Sequence, residues 1–120
     1  MSKDYREITR SVSASVGKFR NDLPDVMKGF NALSAAALRD GALSEKTKEL
    51  IALALGVGGH CDACIGFHVR TLVRLGVTRA ELEEALGVCV YMGGGPSLMY
   101  AADALAAYEQ YAPVAEPVPA

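Results

Sequence analysis

The stretch that most constrains this chain is an apolar run, Leu50 to Val57, followed by Gly58-Gly59 and then by Cys61-Asp62-Ala63-Cys64-Ile65-Gly66-Phe67-His68. The run is too short to span a bilayer and reads as a helix buried nearly all round, which requires helical neighbours. The glycine pair breaks it, and the segment after the break carries two thiols and an imidazole close together. If residues 61 to 75 are helical, Cys61 and Cys64 stand three apart, Cys64 and His68 four apart, and all three share a face. One turn is also disulfide distance. A rise of ~1.5 Å per residue sets the two α-carbons ~5 to 5.5 Å apart, so the pair opens and closes without refolding.

The break also makes Cys61 a first-turn residue, where unpaired N–H groups and the helix dipole favour a thiolate. His68, one turn beyond Cys64, is placed to take that thiol's proton as a general base. Acidity thus favours Cys61 and the resident base favours Cys64. We side with Cys64, because a base beside it moves the proton during the reaction, and resolution then needs only a thiol one turn away. Three other readings compete. The cysteines are small buried hydrophobes, they belong to a zinc site whose fourth ligand is His60 or Glu49, or His68 is a satisfied core histidine, a reading that its register with two thiols weakens.

Glu49 is the last charged residue before the apolar run, a position that is ordinarily solvated. If helices 44 to 57 and 61 to 75 pack antiparallel across a turn near Gly59, residue 49 lies level with about residue 70, within a turn of His68. Cys64 lies ~9 Å further along the axis. Glu49 is then placed to orient His68, and His68 to address Cys64.

The rest of the chain reads as helices too. Residues 3 to 20 carry Tyr5, Ile8, Val12, Val16 and Phe19 at spacings of three and four, with a polar face from Lys3 to Arg10 that is expected to be solvated. Pro24 opens a second helix, which runs to Asp40-Gly41, Gly41 serving the left-handed turn after it. Ser44 caps a third. The helix with the cysteines ends at Gly76, and Thr78-Arg79-Ala80-Glu81 fits a capping box for a fifth, which buries Leu82, Leu86, Cys89 and Val90. Gly93-Gly94-Gly95-Pro96 is a break and a restart. The sixth is expected to turn Leu98, Met99, Ala102, Leu105 and Tyr108 to one side, its alanines suiting close packing. From Ala112 the proline-rich tail is expected to be disordered. No strand-period segment occurs, so the fold class is all-α: one helical domain over residues 1 to 111, its core at 24 to 110, with about six helices.

Composition bounds the functions. At 120 residues the chain forms a single domain, and a 51% hydrophobic share with 22% charged residues implies apolar surface buried against other copies. The net charge is −2 and the 12 Lys and Arg are dispersed, which argues against nucleic acid and an anionic membrane surface. No secretory signal opens the sequence, so three cysteines in a reducing cytoplasm point to catalysis or metal binding, with Cys89 read as core.

Glu49, Cys61-x-x-Cys64, His68 and Met92-Gly93-Gly94-Gly95-Pro96 together resemble the AhpD-like alkylhydroperoxidase core of the carboxymuconolactone decarboxylase family, over roughly residues 24 to 110. The resemblance implies an all-helical subunit assembling as a trimer or hexamer, and a thiol-dependent peroxidase without cofactor or metal. It further implies Cys64 as the peroxidatic thiol, Cys61 as the resolving one, and Glu49 and His68 in a proton relay. The expected partners are a hydroperoxide and an external thiol or dithiol reductant. Two features depart from the pattern. The best-characterised branch has a histidine where this chain has Ala63, and His60 stands nearby instead. The lactone-decarboxylating branch generally lacks the CxxC. Alternatives are a thiol-disulfide oxidoreductase, a redox-sensing helical oligomer and a lactone decarboxylase. Phe67, Tyr91, Met92, Met99 and Tyr100 are candidates to line a substrate pocket or to be core.

Overall fold

The computed structural model describes residues 3–112, and the proline-rich tail expected to be disordered lies outside them apart from Ala112. Six helices follow one another: α1 (Tyr5–Asp22), α2 (Pro24–Leu38), α3 (Glu45–Gly58), α4 (Asp62–Arg74), α5 (Arg79–Gly93) and α6 (Gly95–Tyr111). No strand occurs among the described residues. The all-α reading therefore holds.

The helix boundaries are set by local chemistry. Ser44 accepts from the Thr47 N–H at the start of α3. At the start of α5, Thr78 accepts from the Glu81 N–H while the Glu81 carboxylate accepts from the Thr78 N–H, so both arms of the capping box are made. Pro24 and Pro96 lie in the first turns of α2 and α6, where a missing N–H costs nothing.

The end of α2 departs from expectation. The helix stops at Leu38, Arg39 is extended, and Gly41 is not among the positive-φ residues. Side chains do the work instead. Lys48 donates to the Arg39 carbonyl at 2.7 Å, and Asp40 accepts from the Glu45 N–H at 2.7 Å. With the exposed carbonyl satisfied from α3, no left-handed residue is needed.

The core lies where α4 is sandwiched by α1, α3 and α6, with Leu53, Val57, Ile65, Val69, Leu72, Leu82 and Ala104 at or near zero exposure. Two glycines let helices approach α4. A Cβ on Gly56 of α3 would stand 3.0 Å from the Cys64 Cβ, and one on Gly66 would stand 2.7 Å from Thr9 Cγ2 of α1. Burial of α3 is one-sided, contrary to the expectation of burial all round. Glu49, Leu53, Gly56 and Val57 are buried, while Ile51 and Leu55 are exposed.

The register of α6 also differs. Its buried face is Ser97, Ala101, Ala104 and Ala107, and Leu98, Met99 and Ala102 face outward. Small side chains bring this helix close to its neighbours, so the alanines form the core face and the larger residues have no space inside. On α5, Leu82 and Leu86 are buried as expected, while Val90 and Cys89 are half-buried.

Candidate functional site

Cys61 is the N-cap of α4, one position before the first turn in which the sequence placed it, and its Sγ accepts from the Cys64 N–H at 3.1 Å. The sulfur takes the role that a serine oxygen has at other helix starts. Cys61 and Cys64 are joined as a disulfide with their α-carbons 5.2 Å apart, within the spacing expected of one turn. Cys64 is half-buried at the Gly56 contact, so α3 forms one wall of the pair.

The antiparallel α3–α4 pairing brings Glu49 to His68. The carboxylate Oε2 lies 2.6 Å from His68 Nδ1, and Glu49 is only 4% exposed, so the solvated reading of this glutamate fails. Such a short contact from a buried acid fixes the ring plane and leaves the other nitrogen, Nε2, without a hydrogen-bond partner among the described residues. The same register places Gly56 on Cys64 and Glu49 on His68, so α3 touches both residues.

The alternative zinc site needed His60 or Glu49 as its fourth ligand. Glu49 is engaged with His68, and His60 stacks on Tyr100 with ring centroids 4.6 Å apart and planes within 5°. Among the described residues no group of three or more His, Cys, Asp or Glu side chains is arranged to hold a metal ion.

Sequence reasoning missed the polar bracket around the start of α4. Lys3, expected to be solvated, donates to Asp62 at 2.8 Å and to Asp103 at 2.7 Å, and its ammonium lies 4.9 Å from the centre of the Tyr100 ring. The two carboxylates push the Lys3 ammonium above its ordinary range, with partial burial opposing them. Burial likewise pushes the Tyr5 phenol up, and its hydroxyl lies 3.5 Å from Asp62. The residues on either side of Cys61 are therefore tied to α6 and to the segment before α1. Nothing in the local pattern of Lys3 could have revealed partners 59 and 100 residues away.

The five candidate lining residues do not form one pocket. Tyr91, Met92 and Met99 are more than half exposed, which also removes the reading of them as core. Tyr100 carries the His60 stack, and Phe67 alone of the five lines a cleft with α1 and α2. Cys89 is half-buried with its thiol directed to the Ala85 carbonyl, and burial pushes its pKa up.

Residues 24–107 match the carboxymuconolactone decarboxylase family. The chain belongs to that family. It includes decarboxylases and AhpD-like alkylhydroperoxidases. The fold agrees with the crystal structure, in apo form, of a carboxymuconolactone decarboxylase family protein from Legionella pneumophila. That protein is 55% identical with a TM-score of 0.89, the match covering 91% of this chain and 97% of that one. Uncharacterised proteins of Cupriavidus necator and Haemophilus influenzae are similar as well. The first is 38% identical, over 91% of this chain and 96% of its own length, and the second 36% identical, over 90% and 96%. No helix among the described residues is long and apolar enough to cross a membrane.

Proposed function

We propose that this family member is a thiol-dependent peroxidase that cycles Cys61 and Cys64 between dithiol and disulfide. The observation that carries the reading is the pairing of a bridged CxxC with a buried Glu49–His68 couple on the same two helices. In the reduced protein, His68 accepts the Cys64 proton at Nε2, while Glu49 holds the ring through Nδ1 and balances the charge that forms. The Cys64 thiolate attacks the terminal oxygen of a hydroperoxide, the O–O bond breaks, and the departing alkoxide takes the proton back from His68 as an alcohol. Cys64 is left as a sulfenic acid. The Cys61 thiol displaces its hydroxyl as water to form the disulfide, and an external thiol or dithiol restores the pair by exchange. The helical turn that already joins the sulfurs means resolution needs no loop movement.

The exposed apolar side chains on α2, α3 and α5 support assembly with further copies of the chain, as a trimer or hexamer. A cytoplasmic setting suits a disulfide that must be reduced on each turn.

The deciding experiment is a single-turnover thiol count. Protein is reduced, freed of reductant and given a slight excess of hydroperoxide, and thiols and intact mass are followed over seconds to minutes. Rapid loss of two thiols with a two-hydrogen mass decrease is expected. Thiols untouched over many minutes would sink the peroxidase reading.

One observation favours a second reading, a thiol-disulfide oxidoreductase. Ala63 stands where a relay histidine is found in the best-characterised branch, and His60 is held on Tyr100. Faster turnover of a disulfide substrate than of peroxide at equal enzyme would establish it.

A further inference from the structure

A notch of about 280 Å³ lies where α1, α4 and the end of α6 meet, lined by Arg6, Thr9, Arg10, Arg70 and Tyr111. None of Glu49, Cys61, Cys64 and His68 lines it, so its chemistry is separate from that of the thiol pair. The fold gathers these arginines from a sequence that disperses them. Arg6 and Arg10 are four apart and share a face of α1, with Thr9 between them in sequence. Thr9 meets α4 at Gly66, and Arg70, four residues beyond Gly66, projects from the same edge of α4.

The way the guanidinium groups are held matters more than their number. Arg10 is paired with Glu7, so its charge is balanced. Arg6 and Arg70 have no carboxylate within ion-pairing distance among the described residues. Each lies over an aromatic ring instead, Arg6 at 5.1 Å from the centre of Tyr111 and Arg70 at 5.0 Å from that of Phe67. Such a contact restrains a guanidinium without an acid, so its N–H edges stay available to an anion. Arg6 spends one N–H on the Gln110 carbonyl at 2.8 Å, which fixes it to the end of α6. The hydroxyls beneath are satisfied among themselves. Those of Thr9 and Tyr111 lie 2.6 Å apart, and Tyr111 donates to the Tyr5 carbonyl at 3.0 Å. The notch therefore carries two uncompensated positive charges and no acid in its lining.

We propose that this notch binds a phosphate dianion, free in solution or carried by a small phosphomonoester. The site does not depend on the peroxidase reading. Two uncompensated guanidinium groups match two negative charges, whereas a carboxylate would be neutralised by one. Planar forks on α1 and α4 approach from different helices, which suits a tetrahedral group with oxygens on several sides. Arginines and hydroxyl-bearing residues make up the whole lining, so a ligand body beyond the phosphate is hydrophilic rather than apolar. The arginines also converge on one notch instead of lying along a stripe, which fits an isolated phosphate better than a polynucleotide backbone.

The test titrates inorganic phosphate, glycerol 3-phosphate and acetate into the full chain by calorimetry, with sodium chloride holding the ionic strength constant. Saturation at about 0.1 to 10 mM is expected for both phosphates, the scale that a few charge-assisted contacts support, and none for acetate. Arg70→Gln and Arg6→Gln are each expected to weaken phosphate binding about tenfold or more. Arg74→Gln removes a charge of α4 outside the notch and is expected to leave binding unchanged. Because Arg6 also ties α1 to α6, its variant is accompanied by a thermal melt, while Arg70 has no such bond to lose among the described residues and its variant decides the case. Tighter binding of the ester assigns the site to a phosphorylated small molecule, and tighter binding of inorganic phosphate assigns it to the free ion; both support the proposal. No saturation by either phosphate, equal affinity for acetate, or equal affinity in Arg70→Gln would overturn it. Retention on a DNA duplex or on phosphatidic acid vesicles without binding of either small phosphate would also overturn it, by making the arginines a surface for a polyanion.

Discussion

The α3–α4 pair and the α2 helix are both rich in apolar residues, yet they end in opposite situations. α3 and α4 share the core, pack closely enough that Gly56 meets the Cys64 Cβ, and bury a carboxylate against an imidazole. α2 buries nothing, and Val26, Phe30 and Leu33 are each more than half exposed. The difference lies in what each helix has to face. α4 is surrounded by three helices, whereas among the described residues α2 packs against α1 and α3 alone. The α3–α4 pair is therefore held in fixed geometry, whereas α2 keeps an apolar surface open.

That contrast predicts the largest effects at the α3–α4 pair. Cys64→Ser is expected to abolish peroxide turnover, while Cys61→Ser leaves a sulfenic acid that a dimedone-type trap detects by mass. Normal turnover by Cys64→Ser would reverse the assigned roles. His68→Ala is expected to lower kcat/KM by ~10²-fold or more, as loss of a general base does. Glu49→Gln keeps a group of similar shape at the ring but removes its charge, and a fall of ~10- to 100-fold is expected, the scale on which orienting partners of a histidine act. If Glu49→Gln turns over like the wild type, the 2.6 Å contact is structural only.

Packing effects come next. Gly66→Ala places a methyl 2.7 Å from Thr9 Cγ2, a buried β-branched side chain with little freedom to yield. A loss of ~1 to 3 kcal/mol in urea unfolding is expected, the usual cost of overpacking. Leu33→Asp on α2 is expected to change the stability of the isolated chain by less than ~0.5 kcal/mol while lowering the sedimentation coefficient at high concentration. A large loss of stability in dilute protein would show that α2 is part of the core after all. The smallest effect concerns Cys89. Its thiol, with pKa raised by burial, is expected to alkylate only at higher pH than an ordinary cysteine, which a pH series with iodoacetamide on the disulfide form would check.

Features governed by near neighbours in sequence were legible. Ser44, the Thr78–Glu81 box, Pro24 and Pro96 act within a turn of themselves, and each marks a helix start as read. Glu49 and His68 are 19 residues apart, but a hairpin of two helices has so few registers that their meeting could be anticipated. The face of α6 could not. Its bulky residues and its alanines both recur at helical spacing, and only the distance left by α4 and α5 decides which set fits inside. Lys3 is the extreme case, a terminal lysine whose partners are brought to it by the whole bundle.

The helices, their breaks, the one-turn spacing of Cys61, Cys64 and His68, and the family to which the chain belongs could all be read from the residues, because each depends on local backbone geometry or on a contiguous motif. The burial of Glu49, the alanine core face of α6, the bracket of Lys3 at the start of α4 and the cleft that α2 leaves beside Phe67 emerge from packing of the whole bundle. Those outcomes depend on the space left between helices and on which charges meet across it, and no periodicity along a single helix records either.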